Sequence, residues 1–545
     1  MRFSSPAQGR GHGRGHAATV WRRYTPALVM AVAKLVVMLV AILVVMGTTL
    51  PSIAGADDTT GHGGIAVTDG AGHSQDFSIR RGGAYASPVG LLPLWTTLPF
   101  VCILLSIALF PLLAPRFWHH HFPKVSAFWA LLFAIPFVIW KPAEAVQDII
   151  HIMLIDYIPF IILLWGLYTI AGGIYIGGNL RGRPVVNATL LLIGTILASL
   201  IGTTGAAMVL IRPILRANAW RRSQVHVVIF FIFLIANIGG SLTPLGDPPL
   251  FLGFLHGVPF FWVTKGLLPH MLTATFLVLA IFFVVDTLIY RRETGRPQPA
   301  EGEGGVRIEG LHNILFLLGI MAAVILSGSL KLPEVTVFRH GSHPVTVPVQ
   351  NWVKDAIILL MGALSLRTTT RALREKNGFS WVPIREVAYL FFGIFITIIP
   401  ALAILKAGGA GAMAGLVEAV HGPVRFFWAT GALSSFLDNA PTYLTFFNAA
   451  LGDLGATEAM VPGMLGYPSN LAQLNPEFVH DLQAISAGAV FMGAMTYIGN
   501  APNFMVKSIA EEAGIRMPSF FGYLFKWSAP VLLPVFVVVT LLYFA

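Results

Sequence analysis

From residue 91 to its end the chain alternates long apolar runs with short connections that carry arginine, lysine or glycine. Runs near 20 residues are what a helix needs to cross a hydrocarbon core. The pattern predicts spans at 91–114, 126–140, 149–175, 226–256 and 267–290, then at 312–330, 355–366, 387–405, 484–510 and 525–544. Between the first two, PRFWHHHFPK reads as a tight loop, and 331–354 reads as an external loop. Two further runs, 186–218 and 424–452, are too long and too interrupted for simple spans. If the first crossed, Arg212, Arg216, Arg221 and Arg222 would lie outside, against the bias of basic residues toward the cytoplasm. A hairpin that enters and returns on one side keeps them inside, with its tip at Gly202–Gly205.

Two stretches interrupt their apolar runs in the same way. Residues 240–251 read GSLTPLGDPPLF and residues 493–504 read GAMTYIGNAPNF. They match at Gly240/Gly493, Thr243/Thr496, Gly246/Gly499, Pro249/Pro502 and Phe251/Phe504, and Asp247 falls opposite Asn500. Glycine and proline break a helix and strip backbone groups of helical partners. In lipid this is tolerated only where protein or a water-filled cavity satisfies those groups. The hairpin tips align too: Ser199 meets Ser435, Gly202 meets Asp438 and Thr203 meets Asn439. The basic-residue counts start the first half outside and the second inside. The expected fold is therefore all-α and polytopic, with two inverted repeats, each of about five spans, a re-entrant hairpin and one broken helix. The repeats occupy 91–290 and 312–545, joined by a cytoplasmic linker at 291–311.

The N-terminal 90 residues stand apart. Arg2, Arg10, Arg14, Arg22 and Arg23 precede an apolar run at 27–46, and Ala54-Gly55-Ala56 follows. Residues 1–56 read as a signal peptide or as an extra transmembrane helix. Residues 57–90, polar and rich in glycine and histidine, read as an external segment.

Composition agrees with this class: 56% of the 545 residues are hydrophobic and 11% are charged, against roughly 25% charged in soluble domains. The net charge of +10 lies between apolar runs, so it signals membrane orientation and not nucleic acid. The single cysteine, Cys102, excludes a disulfide framework or a cysteine metal site. There is no nucleotide-binding motif and no constellation for covalent catalysis, so the chain reads as a non-enzyme without cofactors, driven by ion gradients. A bacterial-type inner membrane is the expected location, with the bilayer, small ions or a small organic anion as partners and a homodimer as a candidate assembly.

Four interrupted elements converge in such a plan. They offer Ser199, Thr203, Thr204, Asn237, Ser241, Thr243 and Asp247 from one half, and Ser434, Ser435, Asp438, Asn439, Thr442, Thr496 and Asn500 from the other. Oxygen donors with free carbonyls suit a hard cation such as Na⁺. An acid at membrane depth marks an ion or proton pathway by default. Asp438 is the expected principal ligand for Na⁺ or a proton, with Asp247 as its partner. Asp247 also suits an N-cap before two prolines; Asp438 has no such alternative. Asp156 is a candidate proton relay or an interfacial residue, and Asp286, near Arg291, is expected at an interface. Adjacent His119, His120 and His121 read as interfacial decoration more readily than as metal ligands.

These motifs, SSFLDNAPT, GGSLTPLGDPP, GAMTYIGNAPN and the GTTG tip, resemble the ion transporter superfamily over residues 91–545. That group includes NhaD-type sodium/proton antiporters, citrate and dicarboxylate transporters and arsenite permeases; the chain is most similar to citrate-transporter-like proteins often grouped with sodium/proton antiporters. The resemblance implies inverted repeats and an elevator-like movement against a scaffold. Dicarboxylate members carry Ser-Asn-Thr at their tips, where this chain has Gly-Thr-Thr and Asp-Asn-Ala. That departure favours sodium:proton antiport. Na⁺- or H⁺-coupled uptake of citrate or another organic anion is the alternative, and a channel or non-transporting scaffold is a third reading.

Overall fold

The computed structural model describes residues 92–545 apart from 179, 294–306, 340–343 and 409–410, together with a strand pair at Ala66–Thr68 and Ser74–Asp76. The expectations for residues 1–56, for most of 57–90 and for most of the linker lie outside the described residues.

The protein is an all-α polytopic membrane protein. Among the described residues nine helices are long and apolar enough to cross a membrane, or ten with the pair Val382–Thr397 and Ile399–Lys406, which bends by 44°. That bend falls before Pro400, whose ring cannot continue the hydrogen-bond ladder. The segment expected as a loop, PRFWHHHFPK, is helical: Pro115–Trp140 is continuous. Pro115 occupies the first helical position, where its missing N–H costs nothing, so the connection shrinks to Ala114. The return expected at 355–366 begins earlier, as Val349–Thr368, and part of the external loop is a β-hairpin of Glu334–Phe338 and Val345–Pro348. Lys354 did not mark the helix start: its Nζ is buried 3.4 Å from Asp355 and over the Phe251 ring.

Both suspected hairpins turn back on themselves. The first comprises Pro184–Ile201 and Thr203–Ala217, hinged at Gly202 with φ +81°, a conformation that L side chains rarely adopt. Its feet meet: Gly182 N–H donates to Ala217 O at 2.8 Å, and the amides of Asn187 and Asn218 exchange two hydrogen bonds. The second comprises Pro423–Phe436 and Asn439–Asp453, and His421 Nδ1 closes its feet 2.7 Å from Asp453 Oδ2.

Each hairpin is followed by a broken helix. The first runs through Val225–Leu234, a 3₁₀ turn at Ile238–Leu242, and Pro248–Leu255. The second runs through Pro476–Met492, a 3₁₀ turn at Gly493–Met495, and Ala501–Glu512. The local geometry is the same in both halves. Thr243 donates to Ser199 O and Thr496 to Ser435 O. Those threonine hydroxyls then accept from Leu245 N and Ile498 N, at 3.1 and 3.2 Å.

Asp286 is not interfacial. It is fully buried, 2.5 Å from Arg221 Nη2, 2.8 Å from His226 Nε2 and 2.9 Å from Asn187 Nδ2. It faces the foot of the first hairpin, so Arg221 spends its charge inside the protein.

Candidate cation site

Hairpin tips and helix breaks converge on Asp247. This side chain is 1% exposed. Its Oδ1 accepts from Thr203 Oγ1 and from Asn500 Nδ2, both at 2.9 Å, and its Oδ2 accepts from Asn439 Nδ2 at 2.5 Å. One acid thus gathers the first tip, the second tip and the second break. No lysine or arginine bonds to it among the described residues.

The amides beside it are incompletely satisfied. Asn439 Oδ1 and Asn500 Oδ1 are buried and accept no hydrogen bond. A buried acceptor without a donor costs about 1–3 kcal/mol. Both amides present Nδ2 to the carboxylate, and turning either would present its oxygen, the donor type a hard cation takes. Asn237 supports them: its Nδ2 donates to Asn503 Oδ1 at 2.8 Å, and its Oδ1 lies 3.3 Å from Asn500 Nδ2.

The two acids differ from expectation in which of them caps a helix. Asp247 stands at the N-cap of Pro248–Leu255 but makes no capping bond with its side chain. The helix opens with Pro248 and Pro249, so its first N–H groups are absent and the carboxylate turns to its side-chain neighbours. Asp438, expected to have no such role, is the cap: its Oδ1 accepts from Ala440 N at 3.0 Å, and it is half-buried.

Most of the hydroxyls stitch the breaks. Ser199 donates to Gly239 O, Ser241 to Ile238 O, Ser434 to Ala489 O, Ser435 to Gly431 O and Thr442 to Asp438 O. With Thr243 and Thr496 they occupy carbonyls that the sequence reading left free for an ion. Of these hydroxyls, that of Thr203 donates to Asp247. Thr204 lines a cleft beside the first tip, walled also by Thr203, Asp247 and by Phe160, Leu163 and Tyr168 of the span Pro142–Ala171.

Asp156 lies away from this cluster, 2% exposed, within a π turn at Met153–Tyr157, with His256 Nε2 2.7 Å from its Oδ1. Sequence reasoning missed Asn503, which braces the second break by donating to Gly493 O and Thr496 O at 2.8 and 2.9 Å. It stands in the GNAPN motif, but its counterpart in the first half is Leu250, so comparison of the halves passed over it.

A family model described as "Putative citrate transport" matches residues 90–544. The chain belongs to this family. No curated protein matches it. The family match begins four residues before the first span, Leu94–Pro111, and runs to residue 544, so both tips, both breaks and Asp247 fall within it. Membership and the helical fold make it a transporter-family membrane protein, for citrate or for ions.

Proposed function

We propose that the chain is a secondary active transporter whose coupling cation binds at Asp247, with Asn439, Asn500 and Thr203 beside it, and that it exchanges Na⁺ for protons. The observation that carries this reading is the buried carboxylate bridging two hairpin tips and a break, flanked by two unpartnered amide oxygens. A carboxylate at membrane depth is costly unless a cation, a proton or donors compensate it. Na⁺ and a proton then compete for one acid, which is how a single site couples their fluxes.

Three of the four helix N-termini around the site, all but that of Thr203–Ala217, offer little to an anion. Pro248–Leu255 begins with two prolines, Ala501–Glu512 has Pro502 in its first turn, and Asn439–Asp453 has Pro441 in its first turn and Ala440 N already capped. Few backbone donors remain for a carboxylate substrate. The matched breaks support inverted repeats moving as an elevator, and disfavour a channel or a scaffold. A bacterial-type inner membrane is part of this proposal.

Cation-coupled uptake of citrate or another organic anion is the second reading. The family description and the cleft bearing Thr203 and Thr204 favour it. Proteoliposomes decide between them. A Na⁺ gradient should drive proton movement reported by an internal pH dye, without added organic anion. Labelled citrate accumulating on a Na⁺ or proton gradient, with no Na⁺-driven proton flux in its absence, would establish the second reading instead.

A further inference from the structure

The helix Pro248–Leu255 links two polar sites. Asp247 precedes its first residue and His256 follows its last. The His256 side chain is 3% exposed and is held on both ring nitrogens: Nε2 lies 2.7 Å from Asp156 Oδ1, and Nδ1 lies 2.7 Å from Glu458 Oε2. Glu458 Oε1 in turn lies 2.6 Å from Lys406 Nζ. Four segments meet here: the π turn of the span Pro142–Ala171, the end of the broken helix, the loop after the second hairpin, and the end of Ile399–Lys406. Asp148 and His151 are the other titratable groups within electrostatic range.

Both partners of the imidazole are carboxylates, which only accept when ionised. A neutral imidazole carries one N–H and can satisfy one of them; the other would then face a lone pair at 2.7 Å. An imidazolium satisfies both. With it, Asp156, His256, Glu458 and Lys406 sum to zero charge; without it they carry one uncompensated negative charge in a mostly buried place. The arrangement thus holds one dissociable proton. It does not suit a metal ion, because the carboxylates bind separate ring nitrogens and do not converge; among the described residues no group of three or more His, Cys, Asp or Glu is placed to hold one. The cluster opens to the protein surface at one end, where side-chain exposure rises from 3% at Asp156 and His256 to 30% at Glu458 and 45% at Lys406.

We propose that Asp156, His256 and Glu458 form a proton-binding site separate from the Asp247 cluster, and that release of its proton frees the far end of Pro248–Leu255, the half-helix whose near end carries Asp247. The effect on transport rests on the function proposed above; the site itself does not. The test is amide hydrogen exchange across residues 250–257 of the purified full-length protein in Na⁺-free buffer, from about pH 6 to pH 11 because the two flanking carboxylates hold the proton well above the ordinary imidazole range, corrected for intrinsic exchange. Protection in the wild-type protein should fall by about tenfold or more in one step as pH rises. His256→Arg keeps a permanent charge with several donors and should abolish the step. Asp156→Asn removes an anion that stabilises the imidazolium and should move the step to lower pH. Constant protection in the wild-type protein, or an unshifted step in Asp156→Asn, would overturn the proposal. Neither readout requires a substrate. Transport that proves to be of citrate and not of Na⁺ would therefore overturn the function above while leaving this site standing.

Discussion

Asp247 and Asn500 occupy the same place in the two halves of the sequence, 253 residues apart, and they are hydrogen bonded to each other at 2.9 Å. Equivalent positions that touch lie beside the axis relating them. The inverted-repeat proposal therefore puts its pseudo-two-fold axis between these side chains, and there the pair is acid on one side and amide on the other. Under the proposed function, asymmetry at that point would give one ion site with one charge, where two aspartates would repel.

Asp247→Asn tests that charge. Asn500 already fits the equivalent place, so the variant should fold and insert. Its carboxamide still offers an oxygen, but the charge is gone. Na⁺ affinity, read as the Na⁺ dependence of thermal stability in detergent, should fall by about ten- to a hundredfold, or about 1.4–2.8 kcal/mol. Na⁺-driven flux should be lost. An unchanged Na⁺ dependence would place the ion elsewhere.

Asp438 answers to a different pair of substitutions. As the cap of Asn439–Asp453 it should tolerate Asn, another strong N-cap, while Asp438→Ala should cost about 0.5–2 kcal/mol of stability. Flux through Asp438→Asn should stay measurable, and thermal melts should rank Asn above Ala. Complete loss of flux with an unchanged melt would show that the second acid binds the cation too.

How far the sequence could reach is visible in these acids. Glycines, prolines and polar side chains inside apolar runs stand out, so the breaks, tips and both hairpins were legible from residues such as Gly202 and Gly246. Side-chain direction was not. Asp before two prolines looks like a cap, yet Asp247 turns to Thr203, Asn439 and Asn500, neighbours from up to 253 residues away. Asp286 looked interfacial because Arg291 is near in sequence, while His226, 60 residues away, and Arg221 hold it in the interior. His256 and Glu458 gave no signal, because 202 residues separate them and neither belongs to a motif.

Gly246 and Gly499 should both resist a methyl group. A Cβ at Gly246 would fall onto Gly240 O, and one at Gly499 would come within 2.6 Å of Gly493 O and 2.7 Å of Ser434 O. Backbone cannot yield as a flexible side chain does, so each Gly→Ala change should cost about 1–3 kcal/mol and reduce flux. Gly415→Ala, with nothing within 4 Å, is the control and should be neutral or slightly stabilising. Equal melts for all three variants would remove the close backbone approach from the account of the breaks.

Inverted topology can be tested at two exposed positions. In a Cys102→Ser background, Ala459→Cys, in the region 452–483 that lacks lysine and arginine, should react with an impermeant thiol reagent added outside intact cells. Glu375→Cys, in the basic connection that includes Arg371 and Arg374, should react only after the membrane is opened. Labelling of both from outside would put the second half in the wrong orientation for inverted repeats.

The foot of the first hairpin supplies a test of what holds the tip in place. Asp286 and Arg221 have side chains with no exposed area and lie 2.5 Å apart. His226 and Asn187 satisfy more of the carboxylate, while Asn218 joins Asn187 to the end of the hairpin. Removing one member of a buried pair leaves the other charge uncompensated, at a cost of about 3–5 kcal/mol. Asp286→Asn should therefore lower the melting temperature markedly, and Arg221→Met should do so by a similar amount. The double variant leaves no isolated charge of this pair and should recover part of the loss. The cluster bonds at the feet, whereas Asp247 bonds at the tip, so Na⁺ affinity measured below the melting range should change less than in Asp247→Asn. A double variant as unstable as the sum of the single ones would mean that the two side chains act independently, and that the hairpin is held by its apolar packing instead.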